Sequence, residues 1–425
     1  MNADGDSFPL PLGEGQGEGG CLAVRISGTS GQGGPHPNPL PRGEGVKPKS
    51  HHFESRLTLM KAASIQAHRR RVVSLCLVAL GGLAAAQTTA AADAPAAAGS
   101  AVQKVLSEPA LQSPKALGAA TLAVARVGKR LVAVGERGTV LLSDDAGEHW
   151  QQASVPVRVT LTSVRFVNER TGWAAGHLGV ILRSDDAGQT WVKQLDGQQA
   201  AAAVAATAKE LSDEKAQRNA QRFAEEGPDK PFFDLDFADA QNGFAVGAYN
   251  MAFATRDGGK TWQPALQRLP NPKSLHLYGV RYVAGKLYVV GEQGLLLRSD
   301  DAGASFTALA SPYKGSFFGL LGARSGSLIA YGLRGNAVRS TDQGEHWDKL
   351  ETGLPMSISA ATELNAGTLA LLSQTGELLL SRDDGISFNR VAPSGGPLPA
   401  SGLALADERH LVYASLRGLR RQALP

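Results

Sequence analysis

A box of the form Ser/Thr-x-Asp-x-Gly-x-x-Trp/Phe recurs six times in the 425 residues, and this recurrence limits the possible folds more than any other feature. The copies are Ser143-Asp145-Gly147-Trp150, Ser184-Asp186-Gly188-Trp191, Thr255-Asp257-Gly259-Trp262, Ser299-Asp301-Gly303-Phe306, Ser340-Asp342-Gly344-Trp347 and Ser381-Asp383-Gly385-Phe388. Successive aspartates are 41, 71, 44, 41 and 41 residues apart. Removing an insertion of about 30 residues from the long step restores a period near 41, the length of one repeated supersecondary unit.

Each unit shares a grammar. An alternating apolar segment such as Leu161 to Val167 is followed by a turn and a short apolar strand. That strand ends in a Gly-rich corner (Gly135 to Gly138, Gly176 to Gly179, Gly291 to Gly294, Gly332 to Gly335). A second strand leads from the corner into the box, and a fourth starts at the box aromatic. Period-2 alternation with glycine at tight corners predicts four antiparallel strands per unit. Units of this kind at about 40 residues predict the blades of an all-β propeller. After the sixth box, Leu403 to Leu405, His410 to Ser415 and Gly418 to Arg420 repeat the first three strands of a seventh unit, and Gly418 keeps the register by lying 42 residues after Gly376. Seven blades are expected, with six or eight as alternatives. The segment Val102 to Ala110 is expected to supply the missing outer strand, so that strands from both termini close the ring and hide its edges.

The boxes carry Asp145, Asp186, Asp257, Asp301, Asp342 and Asp383, and four of the six belong to Asp-Asp pairs. A structural role is expected: the aspartate accepts backbone N–H groups, glycine supplies positive φ, and Ser or Thr adds a local bond. Trp150, Trp191, Trp262 and Trp347, with Phe306 and Phe388, are expected at the blade seams. Calcium held by an Asp pair is the alternative; otherwise no metal, cofactor or catalytic group is expected from the boxes.

Function is therefore sought on the opposite face, where the strand 2–3 corners and the links between blades emerge. Arg137, Arg334 and Arg417 stand at corners there, with His177, Gln293 and Gln374 at others. Arg165 and Arg281 fall at equivalent inner-strand positions, Asp234 and Asp236 lie between them in blade order, and Arg158 lies in a link. Arg137, Arg165, Arg281, Arg334, Arg417 and His177 form the candidate partner-binding set, suited to an acidic protein through bidentate guanidinium contacts. Solvated surface with channel ion pairs is the other reading. The insertion, residues 198 to 227, is rich in Ala, Glu, Gln and Lys and ends in Gly227-Pro228. One long helix fits it, as do two shorter helices broken near Ser212. Its few bulky apolar residues are expected to keep it out of the core, as a flap or a docking element.

Charge and cysteine counts sharpen this picture once the front end is separated. Residues 1 to 92 hold 9 of the 43 Lys/Arg, 6 of the 39 Asp/Glu and both cysteines, Cys21 and Cys76. The remainder, 93 to 425, is close to neutral and Cys-free. Disulfide scaffolds, thiolate zinc and cysteine nucleophiles are excluded there, and a nucleic-acid partner loses its electrostatic basis. From Arg69 the chain reads as three arginines, the apolar run Val72 to Leu83 and then small residues, the pattern of a signal peptide over 60 to 92. Segment 1 to 59 is low-complexity and similar to translated intergenic repeats, with Met60 the expected start. An exported protein is expected, periplasmic or membrane-associated on the periplasmic side, and monomeric.

The box is similar to the bacterial neuraminidase repeat. The fuller unit from Gly176 to Trp191 resembles the photosystem II assembly and stability factors, a family of seven-bladed propellers, and the resemblance runs from 101 to 421. It implies a non-enzymatic assembly factor that presents an arginine-rich face to a membrane-protein partner, with Arg137, Arg334 and Arg417 in matching corners and no small-molecule substrate. A sialidase-like glycoside hydrolase on the same fold is the alternative, and it needs paired carboxylates or a Tyr–Glu pair. Asp234 and Asp236 are expected to point to opposite faces of their strand and so not to meet across a substrate, leaving Glu363 as the other inner carboxylate. The Phe/Tyr-Arg-x-Pro segment of sialidases is absent.

Overall fold

The computed structural model describes residues 102 to 425; the low-complexity and signal-peptide segments and both cysteines lie outside the described residues. Seven antiparallel sheets follow one another in sequence order. Blade 1 runs Thr121–Val127, Arg130–Gly135, Val140–Ser143 and Gln151–Gln152 from the inside outward, and five further blades repeat this four-stranded order. The seventh blade has three strands, Ala400–Leu405, His410–Ser415 and Arg420–Ala423. Each inner strand packs beside the next, and that of blade 7 returns to that of blade 1.

The ring does not close through a shared strand. Residues 102 to 107 are helical, and Leu106 is buried with Val155, Val157 and Val159 between blades 1 and 2. Arg158 N donates to Val105 O and Ala110 N to Val155 O, which fixes the segment there. Its apolar residues Val102, Val105 and Leu106 recur at helical rather than strand spacing, so it has no face to offer a sheet edge. Blade 7 instead meets blade 1 by packing and by hydrogen bonds from Ser401 Oγ to Thr121 O (2.8 Å) and from Ser415 N to Thr121 Oγ1 (3.0 Å).

The boxes build the seams. In blade 1, Ser143 Oγ and His149 N both donate to Asp145 Oδ1 (2.8 and 2.9 Å), Gly147 N donates to Ser143 Oγ (2.9 Å), and Trp150 Nε1 donates to Gly147 O (3.1 Å). The other five boxes keep the Ser/Thr–Asp bond. These donors favour the charged carboxylate, so Asp145, Asp301 and Asp342 are held well below the usual range and Asp383 at about 2. Box glycines have positive φ, and Gly147, Gly188, Gly303 and Gly385 lie against the second strand of the preceding blade, whereas Gly259 lies against Gln194 of the fourth strand of blade 2. A Cβ on Gly147 would come within 2.6 Å of Val412, and one on Gly303 within 3.1 Å of Phe244. The Gly147–Val412 contact joins blade 1 to blade 7, so ring closure uses the same device as the seams at Gly188, Gly303 and Gly385.

The insertion forms a helical hairpin, α1 (Gly197–Ala208) and α2 (Glu214–Glu225), between blades 2 and 3. Asp196 caps α1 in a capping box with Gln199, and Asp213 caps α2. The hairpin is not held outside the core. Ala200, Val204, Ala208, Ala220 and Phe223 are buried in one cluster with Trp173, Ile181, Phe232 and Trp262. Alanine lets helix backbone approach closely, so a stripe poor in bulky residues still docks. No helix among the described residues is long and apolar enough to cross a membrane.

Candidate protein-binding face

The seven strand 2–3 corners turn through left-handed backbone in two related ways. In five of them the central residue itself has positive φ, namely Arg137 (54°), Leu178 (52°), Tyr249 (54°), Gln293 (54°) and Arg334 (56°), and in blade 6 Thr375 precedes the positive-φ Gly376. Arg417, before Gly418, completes the set. This geometry turns the side chain outward, and Arg137, Tyr249, Gln293, Arg334 and Arg417 are exposed. Arg137, Arg334 and Arg417 thus occupy matching places in blades 1, 5 and 7, and none of their guanidinium groups makes a hydrogen bond or ion pair among the described residues.

His177 sits one position earlier, in the place of Glu136 and Glu292, and is half-buried. Burial lowers its pKa, which disfavours the charged imidazolium. The equivalent of Arg137 in blade 2 is Leu178. Arg158 is committed inward, with Nη1 2.8 Å from Glu108 and Nε donating to Pro109 O.

Arg165 and Arg281 are not on this rim. They line the central channel with Asp234, Ser163 and Tyr331. Arg281 pairs with Asp234, which also accepts Ser163 Oγ (2.7 Å) and Val280 N (3.2 Å). Asp236 accepts Tyr282 N (2.8 Å). Both aspartates therefore reach toward the inner strand of blade 4 (Leu277–Val283). The expectation that they point to opposite faces fails, because strand residues two apart share a face. Glu363 is taken by Arg324 N (2.9 Å) on another blade.

Burial raises the Asp236 carboxyl to about 6, opposed by the positive charge of Arg165. Its folded value thus lies above the unfolded value of about 4. The stability this proton contributes is fully present below about pH 4 and is lost as pH rises through about 6. Wild type should lose on the order of 2 kcal/mol relative to Asp236→Asn between pH 4 and 7. Urea midpoints of the two proteins across that range check this, and parallel profiles would refute it.

A second ring was missed in the sequence. In every blade the inner strand shifts register after its first residue, leaving Leu122, Thr162, Phe233, Tyr278, Phe318, Ser359 and Ser401 unpaired at the channel mouth. Blades 3 to 5 place aromatics there. The signal was present as Phe232-Phe233, Leu277-Tyr278 and Phe317-Phe318, neighbouring large apolars that break alternation where a bulge falls.

These features define an Asp-box propeller with a cationic arc, an aromatic channel mouth and a helical hairpin associated with one face. The family described as photosynthesis system II assembly factor YCF48 matches residues 127–213 and 213–348, and the chain belongs to it. A photosystem II assembly lipoprotein, Ycf48, from Synechococcus sp. is 25% identical over 159 residues, 36% of this chain. The matched region spans 46% of that relative's length. A solved structure described as YCF48 bound to D1 peptide superposes with a TM-score of 0.54 at 16% identity, over 75% of this chain and 96% of that one. A GH74 enzyme from Niastella koreensis superposes at 0.52 and 11% identity, over 74% of this chain and 53% of that one. The likeness to both establishes the fold and does not choose between binding and catalysis.

Proposed function

We propose that this propeller is a non-enzymatic, exported assembly or accessory factor that holds an acidic segment of a membrane protein against its corner face. The observation that carries this reading is the set of Arg137, Arg334 and Arg417, three exposed guanidinium groups without partners among the described residues at matching corners of one face. Arginine at a rigid corner is suited to carboxylates because its fork is fixed while its neighbours need not rearrange. The relative bound to a D1 peptide supports a peptide-like ligand for this chain. Export rests on the leader pattern over 60 to 92. The lack of a glycosidase role rests on carboxylates committed to Arg281, Ser163 and Arg324 rather than facing an open cleft.

The test is capture of partner from envelope membranes. Arg137→Ala/Arg334→Ala/Arg417→Ala should retain at most about a tenth of the partner at an unchanged melting temperature, since charge-assisted bonds contribute roughly 1.5–3 kcal/mol each. Raising salt should weaken wild type toward the variant. Capture that is indifferent to the three substitutions rejects the reading, and hydrolysis of an aryl sialoside by the purified protein would revive the enzyme.

A further inference from the structure

We propose that the cleft between α2 and blade 3 is a side-chain pocket, which receives a bulky apolar residue of the acidic segment held by the arginines. The proposal rests on the binding reading above and adds the second chemical requirement of the partner.

The cleft measures about 310 Å³. That is the low end of the roughly 300–1,000 Å³ typical of ligand sites, a size suited to one large side chain. Ala220 and Phe223 of α2 form one wall, and Leu266, Leu269 and Pro270 form the other. Tyr249 stands at its lip. Tyr249 is the blade 3 member of the corner ring that carries Arg137, Arg334 and Arg417, so the cleft opens on the same face.

Tyr249 holds φ at 54°, a strained value for an aromatic residue, and leaves 37% of its surface exposed. Its ring lies 4.6 Å from that of His276, which lies 6.0 Å from Phe233. Phe233 lies 5.4 Å from Tyr278, and Tyr278 5.6 Å from Phe318. An aromatic band therefore runs from the cleft across the channel mouth toward blade 5, where Arg334 stands.

Charge complementarity fixes the occupant as acidic at one end. The apolar walls from Ala220, Phe223, Leu266, Leu269 and Pro270, with Tyr249 beside them and polar side chains such as Asn219, Gln267 and Lys230 around them, suit an apolar body with a polar edge such as Trp at the other, the pattern of a buried anchor beside a charged rim. The charges around the cleft are mixed, with Lys215, Arg222 and Lys230 beside Asp213 and Glu226, and Arg222 and Lys230 are ion-paired to Glu226 (3.3 and 3.2 Å), so the acidity of the segment is set by the corner arginines rather than by the cleft.

The experiment uses the full propeller and fluorescein-labelled peptides in which a Glu-rich stretch is joined by Gly-Ser spacers of several lengths to a terminal Trp. Counterparts carry Ser for Trp or Gln for Glu. On wild type, the best-spaced Trp peptide should bind about tenfold tighter than its Ser counterpart. Asn219→Trp, which fills the cleft from an exposed position of α2, should erase that advantage while keeping the dependence on Glu; Tyr249→Ala should reduce it. The arginine triple variant should weaken Trp and Ser peptides alike. Equal affinities on wild type, or an advantage that survives Asn219→Trp, overturn the pocket while leaving the arginine reading intact. A Glu dependence untouched by the triple variant overturns that reading instead.

Discussion

Trp173→Ala should lower folding stability by about 3–5 kcal/mol, the range for deleting a large buried aromatic. Trp173 lies in the second strand of blade 2 and is fully buried. Its ring stacks on Phe237 of blade 3 at 3.6 Å and 11°, and the Arg183 guanidinium carbon sits 5.3 Å from its centroid. Phe237 in turn meets the box residue Trp262 edge-on at 5.9 Å. Deleting the indole opens a void at the seam of two blades whose strands are fixed by their own sheets, so little collapse can fill it. The loss also releases Gln194, whose Oε1 accepts Trp173 Nε1 (3.1 Å) and whose Nε2 donates to Gly258 O (2.9 Å) in the next blade's box. Trp173→Phe should cost about a third as much, because it keeps the stack and gives up mainly that bond. Urea midpoints at a constant slope of unfolding measure both, and a midpoint for Trp173→Ala near wild type would contradict the assignment of this seam.

The blade architecture was legible because the box is both a sequence motif and a complete hydrogen-bonding unit: Ser143, Asp145 and Gly147 satisfy one another within four residues, so tertiary context cannot change the outcome. Seven inner strands were legible for the same reason, as alternation survives wherever one face is buried. The N-terminal segment was misread because the missing outer strand was inferred from topology, whereas the spacing of Val102, Val105 and Leu106 already favoured helix. Docking of the hairpin was hidden, since Ala200, Ala208 and Ala220 look the same in a solvated helix and in a tightly apposed one.

At the site, the corner arginines were found by aligning glycines. The same alignment, carried one residue further, puts Leu178 rather than His177 in the ring and admits Tyr249, whose corner ends in Asn250 instead of glycine. Arg165 and Arg281 were placed at equivalent strand positions, but strand alternation says only which face a side chain occupies. Whether a cation at the channel wall is free for a partner depends on the blades opposite, information that no local window contains. Arg281 is bound to Asp234 from 47 residues away, whereas the rim arginines have no such carboxylate among the described residues.

Asp234→Ala should be the most damaging change among the channel residues, at about 3–5 kcal/mol. The carboxylate is 6% exposed and joins three blades: Ser163 from blade 2, its own strand in blade 3, and Val280 N with Arg281 from blade 4. Truncating it leaves the Arg281 guanidinium, itself mostly buried, without its carboxylate and leaves the Val280 N–H without that acceptor. The cost then comes chiefly from the stranded cation rather than from the attraction lost. Removing the cation as well should recover stability, so Asp234→Ala/Arg281→Met is expected to be more stable than Asp234→Ala alone by at least about 1 kcal/mol. Because both residues lie inside the channel, the double variant should still capture partner through Arg137, Arg334 and Arg417. Denaturation of the two single variants and the double variant, with partner capture measured in parallel, tests this division. A double variant no more stable than Asp234→Ala would mean that the Asp234 bonds to Ser163 and Val280, and not its charge, hold the three blades together.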